Sequence, residues 1–127
     1  NDKAGTPRGL HAEPWNKFIS TANGRVFGAW CDLRQGDSFG RVFTHEINPG
    51  TAIFVPKGVA NGYQALDDNI AYTYLVDAHW SPDAKYTFVN LFDPALGIDW
   101  PISQDQAIIS EKDAQHPLLA NVIPVEV

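Results

Sequence analysis

Two-residue alternation constrains this chain more than any other feature. From Arg25 to Leu33, the residues Phe27, Ala29, Cys31 and Leu33 alternate with Val26, Gly28, Trp30 and Asp32. A period of two, filled with aromatic and β-branched side chains, is the pattern of a strand. Similar runs predict strands over Asn16–Ala22, Arg41–Glu46, Thr51–Val55, Gly62–Leu66, Ile70–Val76 and Tyr86–Asn90. Turn clusters separate them, and Asn23-Gly24 between two apolar runs predicts a type I′ hairpin. Strands recurring at roughly ten-residue intervals point to an antiparallel sandwich or barrel. Only Ser110–Leu119 reads as helical, and Ser110-Glu111-Lys112-Asp113 resembles a capping box with Asp in place of Glu. Residues 1–127 read as a single domain, because 127 residues support one real core and not two.

Charge removes several functions. Fifteen acidic against nine basic residues give a net charge of -6. Lys and Arg are not clustered, so no nucleic-acid partner is expected. A small anionic ligand remains compatible with a few local cations. The single cysteine, Cys31, excludes an internal disulfide framework and a four-cysteine zinc site. No run approaches the roughly 20 apolar residues of a membrane helix, so no membrane partner is expected and the cytoplasm is the default location. The chain has no Met, so an upstream piece is expected to have been removed or left out.

The segment Pro56-Lys57-Gly58-Val59-Ala60-Asn61-Gly62 has the form of the second half of a cupin motif. In metal-binding cupins its last position is a His ligand, and here it is Asn61. The His-x-His half is absent, and His11, His45, His79 and His116 are scattered along the chain. An amide is a poor substitute for imidazole on a transition metal. The expectation is therefore an all-β, cupin-like jelly-roll barrel with a short C-terminal helical segment and no metal or other cofactor. Read alone, Pro-x-Gly is equally a plain strand corner.

Further segments carry a wider resemblance. They are Arg8-Gly9-Leu10-His11, Cys31-Asp32-Leu33-Arg34-Gln35-Gly36 with Phe39-Gly40, Val55-Pro56-Lys57-Gly58, Asp93-Pro94-Ala95-Leu96-Gly97-Ile98-Asp99-Trp100-Pro101, and Ser110-Glu111-Lys112-Asp113. In this order, from Arg8 to Leu119, the text resembles the dTDP-4-dehydrorhamnose 3,5-epimerase family. Members usually carry several dozen more residues before Arg-Gly-Leu-His, so a shortened relative or a fragment is expected.

The resemblance implies a nucleotide-sugar substrate with a 4-keto-6-deoxyhexose, epimerised at C3, C5 or both without a cofactor. It implies a place in the synthesis of a cell-surface polysaccharide or a glycosylated metabolite. A ketone acidifies the neighbouring C–H groups, so the reaction needs a base, a donor on the opposite face and stabilisation of the enolate oxygen. His11 matches the family's base, and Asp113 matches the carboxylate that orients it. Tyr74 matches the acid, and Lys17 the cation near the keto oxygen. Arg8 and Lys112 match positions serving the diphosphate, and Trp80 matches an aromatic that stacks on the ligand. Taken one at a time these residues have plainer roles. A strand His is usually a satisfied hydrogen-bonding group, Asp113 could cap a helix, and Tyr74 and Trp80 could simply pack.

Four departures gather at the ligand contacts. Asn61 stands where members have a second His, which pairs with the acidic residue matched by Asp32. Ala12-Glu13 replaces an aromatic-Gln pair, bringing a carboxylate that could raise the His11 pKa or bind sugar hydroxyls. Leu75 follows Tyr74 where many members have Lys, and the leading segment is missing. A divergent epimerase, expected as a homodimer, is the first reading. A non-catalytic sugar or sugar-nucleotide binding cupin is the second, and a metal-dependent cupin enzyme the third.

Overall fold

The computed structural model describes residues 3–103 and 107–127. Eight strands form, over Pro7–Ala12 (β1), Lys17–Asn23 (β2), Val26–Asp32 (β3), Val42–Ile47 (β4), Ala52–Val55 (β5), Val59–Ala65 (β6), Ala71–Val76 (β7) and Thr87–Phe88 (β8). A five-stranded sheet runs β4-β3-β6-β1-β8, and a three-stranded sheet runs β5-β2-β7. All strand pairings within the sheets are antiparallel. The two sheets face one another as a cupin-like jelly roll. Among the described residues no helix is long and apolar enough to cross a membrane.

The two sheets are buried differently. In β3, Val26 and Trp30 point into the space between the sheets, where they join Ile19, Ile47, Val55, Ala65 and Ile70. Ala29 and Cys31 point the other way and join Leu10, Ala12, Val89, Leu91, Leu96 and Val122. The large sheet is thus covered by the small sheet on one face and by the C-terminal segment on the other. The small sheet has only its inner face covered, and register aligns Phe54, Phe18 and Leu75 across its exposed outer face.

The signature around Trp100 serves this second layer. The Trp100 indole donates to the Leu91 carbonyl at 2.8 Å. Asp93 accepts from the Ala95 and Leu119 amides at 3.0 and 2.7 Å. Buried Gln64 exchanges two 2.9 Å bonds with the Ile102 backbone. These bonds pin the C-terminal segment to the large sheet, and that segment brings Asp113 against β1.

Three expectations need correction. Asn23-Gly24 forms no hairpin: β2 lies in the small sheet and β3 in the large one. A type I′ turn needs positive φ at both central residues, whereas only Gly24 has it, at +78°. The corner instead crosses from one sheet to the other. The helix expected over Ser110–Leu119 shrinks to Glu111–Ala114 (α1), because Pro117 lies just beyond and disfavours helical geometry before it. Finally, β1 forms although no alternation announces it, and β6 begins at Val59, ahead of Gly62.

The form of β1 explains its silence. Arg8 pairs with Tyr63 and His11 with Asn61, so three steps on β1 oppose two on β6. This bulge inserts one residue and reverses the parity of the strand. Gly9 sits at the bulge with φ +119°, and a Cβ there would lie 2.8 Å from both the Asn61 oxygen and the Gly62 Cα. Only glycine allows this approach. On the other side Leu10 is fully buried, which contributes about 2 kcal/mol and fixes the backbone that carries His11.

Candidate functional site

The extra residue in β1 turns Arg8 and His11 onto the same wall of a cavity of about 290 Å³. Asn61 and Tyr63 extend that wall from β6. Lys17 from β2 and Tyr72 and Tyr74 from β7 form the facing wall, and Glu13 enters from the loop after β1. His11 and Tyr74 therefore stand on opposing sheets around one hollow.

Asp113 reaches His11 from behind. The Ser110 hydroxyl accepts from the Asp113 backbone amide at 3.0 Å and caps α1. The Asp113 carboxylate makes no reciprocal bond of a capping box. Its Oδ1 lies 2.9 Å from His11 Nε2, and its Oδ2 accepts from the Gly9 amide at 3.3 Å. Burial opposes ionisation of Asp113, but the hydrogen bond and charge of His11, with help from Gly9 and His116, hold its pKa down at about 2. An ionised carboxylate only accepts hydrogen bonds. His11 Nε2 therefore carries the proton, and in the neutral ring the lone pair is on Nδ1.

A second histidine completes the cluster. His116 Nε2 is 3.0 Å from the same Asp113 oxygen and 3.3 Å from His11 Nε2. The two histidines are scattered in sequence and adjacent in space, which corrects the expectation drawn from their spacing. Proximity to Asp113 at i,i+3 is the one local signal that could have found His116. His11, Asp113 and His116 are also the described group whose atoms could together hold a metal ion. Their mutual hydrogen bonds account for the cluster in themselves.

On the facing wall, Lys17 Nζ donates to Glu13 Oε1 at 2.9 Å, with the two side chains 5% and 17% exposed. The Glu13 carboxylate thus meets Lys17 and not His11. Asn61 Oδ1 accepts from the Tyr72 hydroxyl at 3.3 Å. Burial pushes the Tyr72 phenol well above its ordinary range, against the lowering effect of that bond. Tyr74 is 60% exposed and stands at the open side. Asp32 does not turn to Asn61, because Arg34 and Ser38 occupy its carboxylate.

Two expected ligand contacts lie outside the cavity wall. Trp80 is exposed between β7 and β8, near Tyr86. Lys112 is exposed on α1, close enough to influence His116.

With this geometry the comparisons with known proteins agree. The family model described as dTDP-4-dehydrorhamnose 3,5-epimerase matches residues 1–121. The chain belongs to this family. A relative named Protein RmlC homolog from Streptococcus pyogenes is 51% identical over 122 residues, covering 94% of this chain and 61% of the relative. The dTDP-4-dehydrorhamnose 3,5-epimerase of Mycobacterium tuberculosis is 34% identical over 128 residues, covering 94% and 62%. RmlC from Streptococcus suis, solved in complex with dTDP-D-xylose, superposes with a TM-score of 0.92 at 47% identity, covering 98% of this chain and 66% of that one. The chain thus spans a little over three-fifths of the length of these epimerase-family relatives.

Proposed function

We propose that the chain epimerises a nucleotide-linked 4-keto-6-deoxyhexose at C3, C5 or both. One observation carries this reading: His11 and Tyr74 line a single cavity from opposing sheets. A carbohydrate ring between them meets a base on one face and a phenol on the other.

His11 Nδ1 takes the proton from the carbon beside the ketone. The C–H electron pair moves onto the carbonyl oxygen and forms an enolate. Asp113 stabilises the imidazolium so formed, in the manner of the carboxylate in hydrolase triads. The Lys17 ammonium stabilises the enolate oxygen, where a low-dielectric setting strengthens it. Tyr74 then delivers a proton to the opposite face, and the phenolate recovers one from water while His11 releases its own. No electrons are exchanged with a cofactor.

Around this set, Arg8 and Lys112 serve the diphosphate, and Trp80 offers a stacking face at the rim. Glu13 and Asn61 meet sugar hydroxyls, with Glu13 also holding Lys17 in place. The relatives' nucleotide-sugar chemistry supports this substrate class. A cytoplasmic site of action suits a nucleotide-activated substrate. A homodimer belongs to the same reading, with the exposed row Phe54, Phe18 and Leu75 as an apolar contact.

Incubation with dTDP-4-keto-6-deoxyglucose in deuterated water tests it. Deuterium should enter at C3, C5 or both, and His11→Ala should slow entry by about 10²–10⁴-fold. Absence of exchange into every nucleotide keto-sugar tried would overturn the reading.

A further inference from the structure

His116 takes no step in the reaction above, yet its Nε2 lies 3.3 Å from that of the base. Its side chain is 7% exposed. Its ring lies on Phe88 with centroids 4.5 Å apart and planes 7° from parallel. It meets the His11 ring edge-on at 5.3 Å. Both Nε2 atoms approach Asp113 Oδ1, at 2.9 Å from His11 and 3.0 Å from His116. Because that carboxylate only accepts, both nitrogens present N–H. One oxygen is therefore divided between two donors whose nitrogens are 3.3 Å apart.

We propose that His116 is a positioning residue that tempers the basicity of His11 by sharing Asp113 Oδ1. Its consequence for turnover rests on the epimerase reading, whereas the shared oxygen does not. A carboxylate given wholly to one imidazole favours its protonated form strongly. A base held in that way returns its proton more slowly than one whose carboxylate is shared. The second N–H draws on the same lone pairs and limits that stabilisation, and it also locks the carboxylate in place.

His116 can do this only while neutral. Burial lowers its pKa, and the charges of His11 and Lys112 act in the same direction, against the pull of Asp113. The other titratable groups facing His11 across the cavity are Arg8 from β1, Glu13 from the following loop, Lys17 from β2, Tyr63 from β6, and Tyr72 and Tyr74 from β7. Phe88 on β8 is neutral.

The test is an NMR titration of the His11 ring in the full chain, beside the pH profile of kcat/KM. His116→Phe keeps a ring on Phe88 and removes the N–H. The His11 midpoint should rise by roughly 0.5–1 unit, and the acid limb of the profile should move with it. His116→Gln restores an N–H donor and should return the midpoint toward wild type. If His116→Phe does not fold, His116→Ala against His116→Gln makes the same comparison. A midpoint unmoved by loss of the N–H, or raised equally in the Gln variant, overturns the proposal. A wild-type chain that exchanges no keto-sugar, but whose midpoint follows this pattern, supports the shared oxygen and removes only the reading of the activity.

Discussion

The two sheets hold their parts of the site in different ways. His11 sits in a sheet packed on both faces, on a bulge clamped by Gly9 and Leu10, with Asp113 and His116 behind it. Tyr74 sits on β7, an edge strand of a sheet packed on one face, and is 60% exposed. On the proposed reading, proton removal from a weakly acidic carbon demands exact alignment of His11, and the fold restrains that residue at several points. Proton delivery to an enolate tolerates a group nearer to solvent. On that reading, substrate range can drift on the small-sheet side while His11 stays fixed.

The comparison is most easily broken at the bulge. Gly9→Ala puts a methyl against the β6 backbone at 2.8 Å on two sides, and at a φ that disfavours it. Strain and overpacking should cost about 4 kcal/mol, read as a large drop in the urea midpoint. A loss below 1 kcal/mol would mean that β1 is not clamped as described.

The link between the sheets comes next. Glu13→Ala leaves the Lys17 ammonium buried without its partner, which should cost about 3 kcal/mol by the same measurement. An unchanged midpoint would mean that Lys17 finds water or another acceptor.

Acid should attack the large-sheet side. The folded pKa of Asp113 is depressed to about 2 from 3.8. Its contribution, on the order of 2 kcal/mol, is full above the unfolded value and disappears as pH falls toward 2. The folded pKa of His116 is also lowered. The unfolded chain therefore takes up that proton first, and stability falls as pH drops below 6.5. Stability measured against pH should decline in both windows. In Asp113→Asn the lower step should shrink, with Asp32, whose pKa Arg34 also holds at about 2, supplying what remains.

The smallest effect belongs to the outer face of the small sheet. Leu75 is 74% exposed, so Leu75→Ser should change monomer stability by less than about 0.5 kcal/mol. In sedimentation it should weaken self-association if that face is the dimer contact.

Much of this was legible in the sequence, for reasons that differ by element. β3 alternates because its two faces meet different layers, and its period survives even though both are buried. β1 was missed because the residue inserted at Gly9 breaks the very period that identifies strands. Asn23-Gly24 carried the residues of a hairpin, but the chain used only the glycine and turned out of the sheet. The pairing of Asp113 with His11 followed from family resemblance and not from spacing, since 102 positions separate them. His116 had no such guide, because its role depends on a neighbour 105 positions away. The family's second His pairs with the acidic residue matched by Asp32; here Asn61 replaces that His, and Arg34, two residues on, holds Asp32.

The account depends on two groups working from opposite walls. Deuterium entry and product configuration should be followed together in Tyr74→Phe and in His11→Ala. Tyr74→Phe should still let solvent deuterium exchange beside the ketone, since His11 can remove and return the proton on one face, yet inversion should fail. His11→Ala should lose both exchange and inversion. Inversion at the wild-type rate in Tyr74→Phe, or exchange that survives undiminished in His11→Ala, would contradict it.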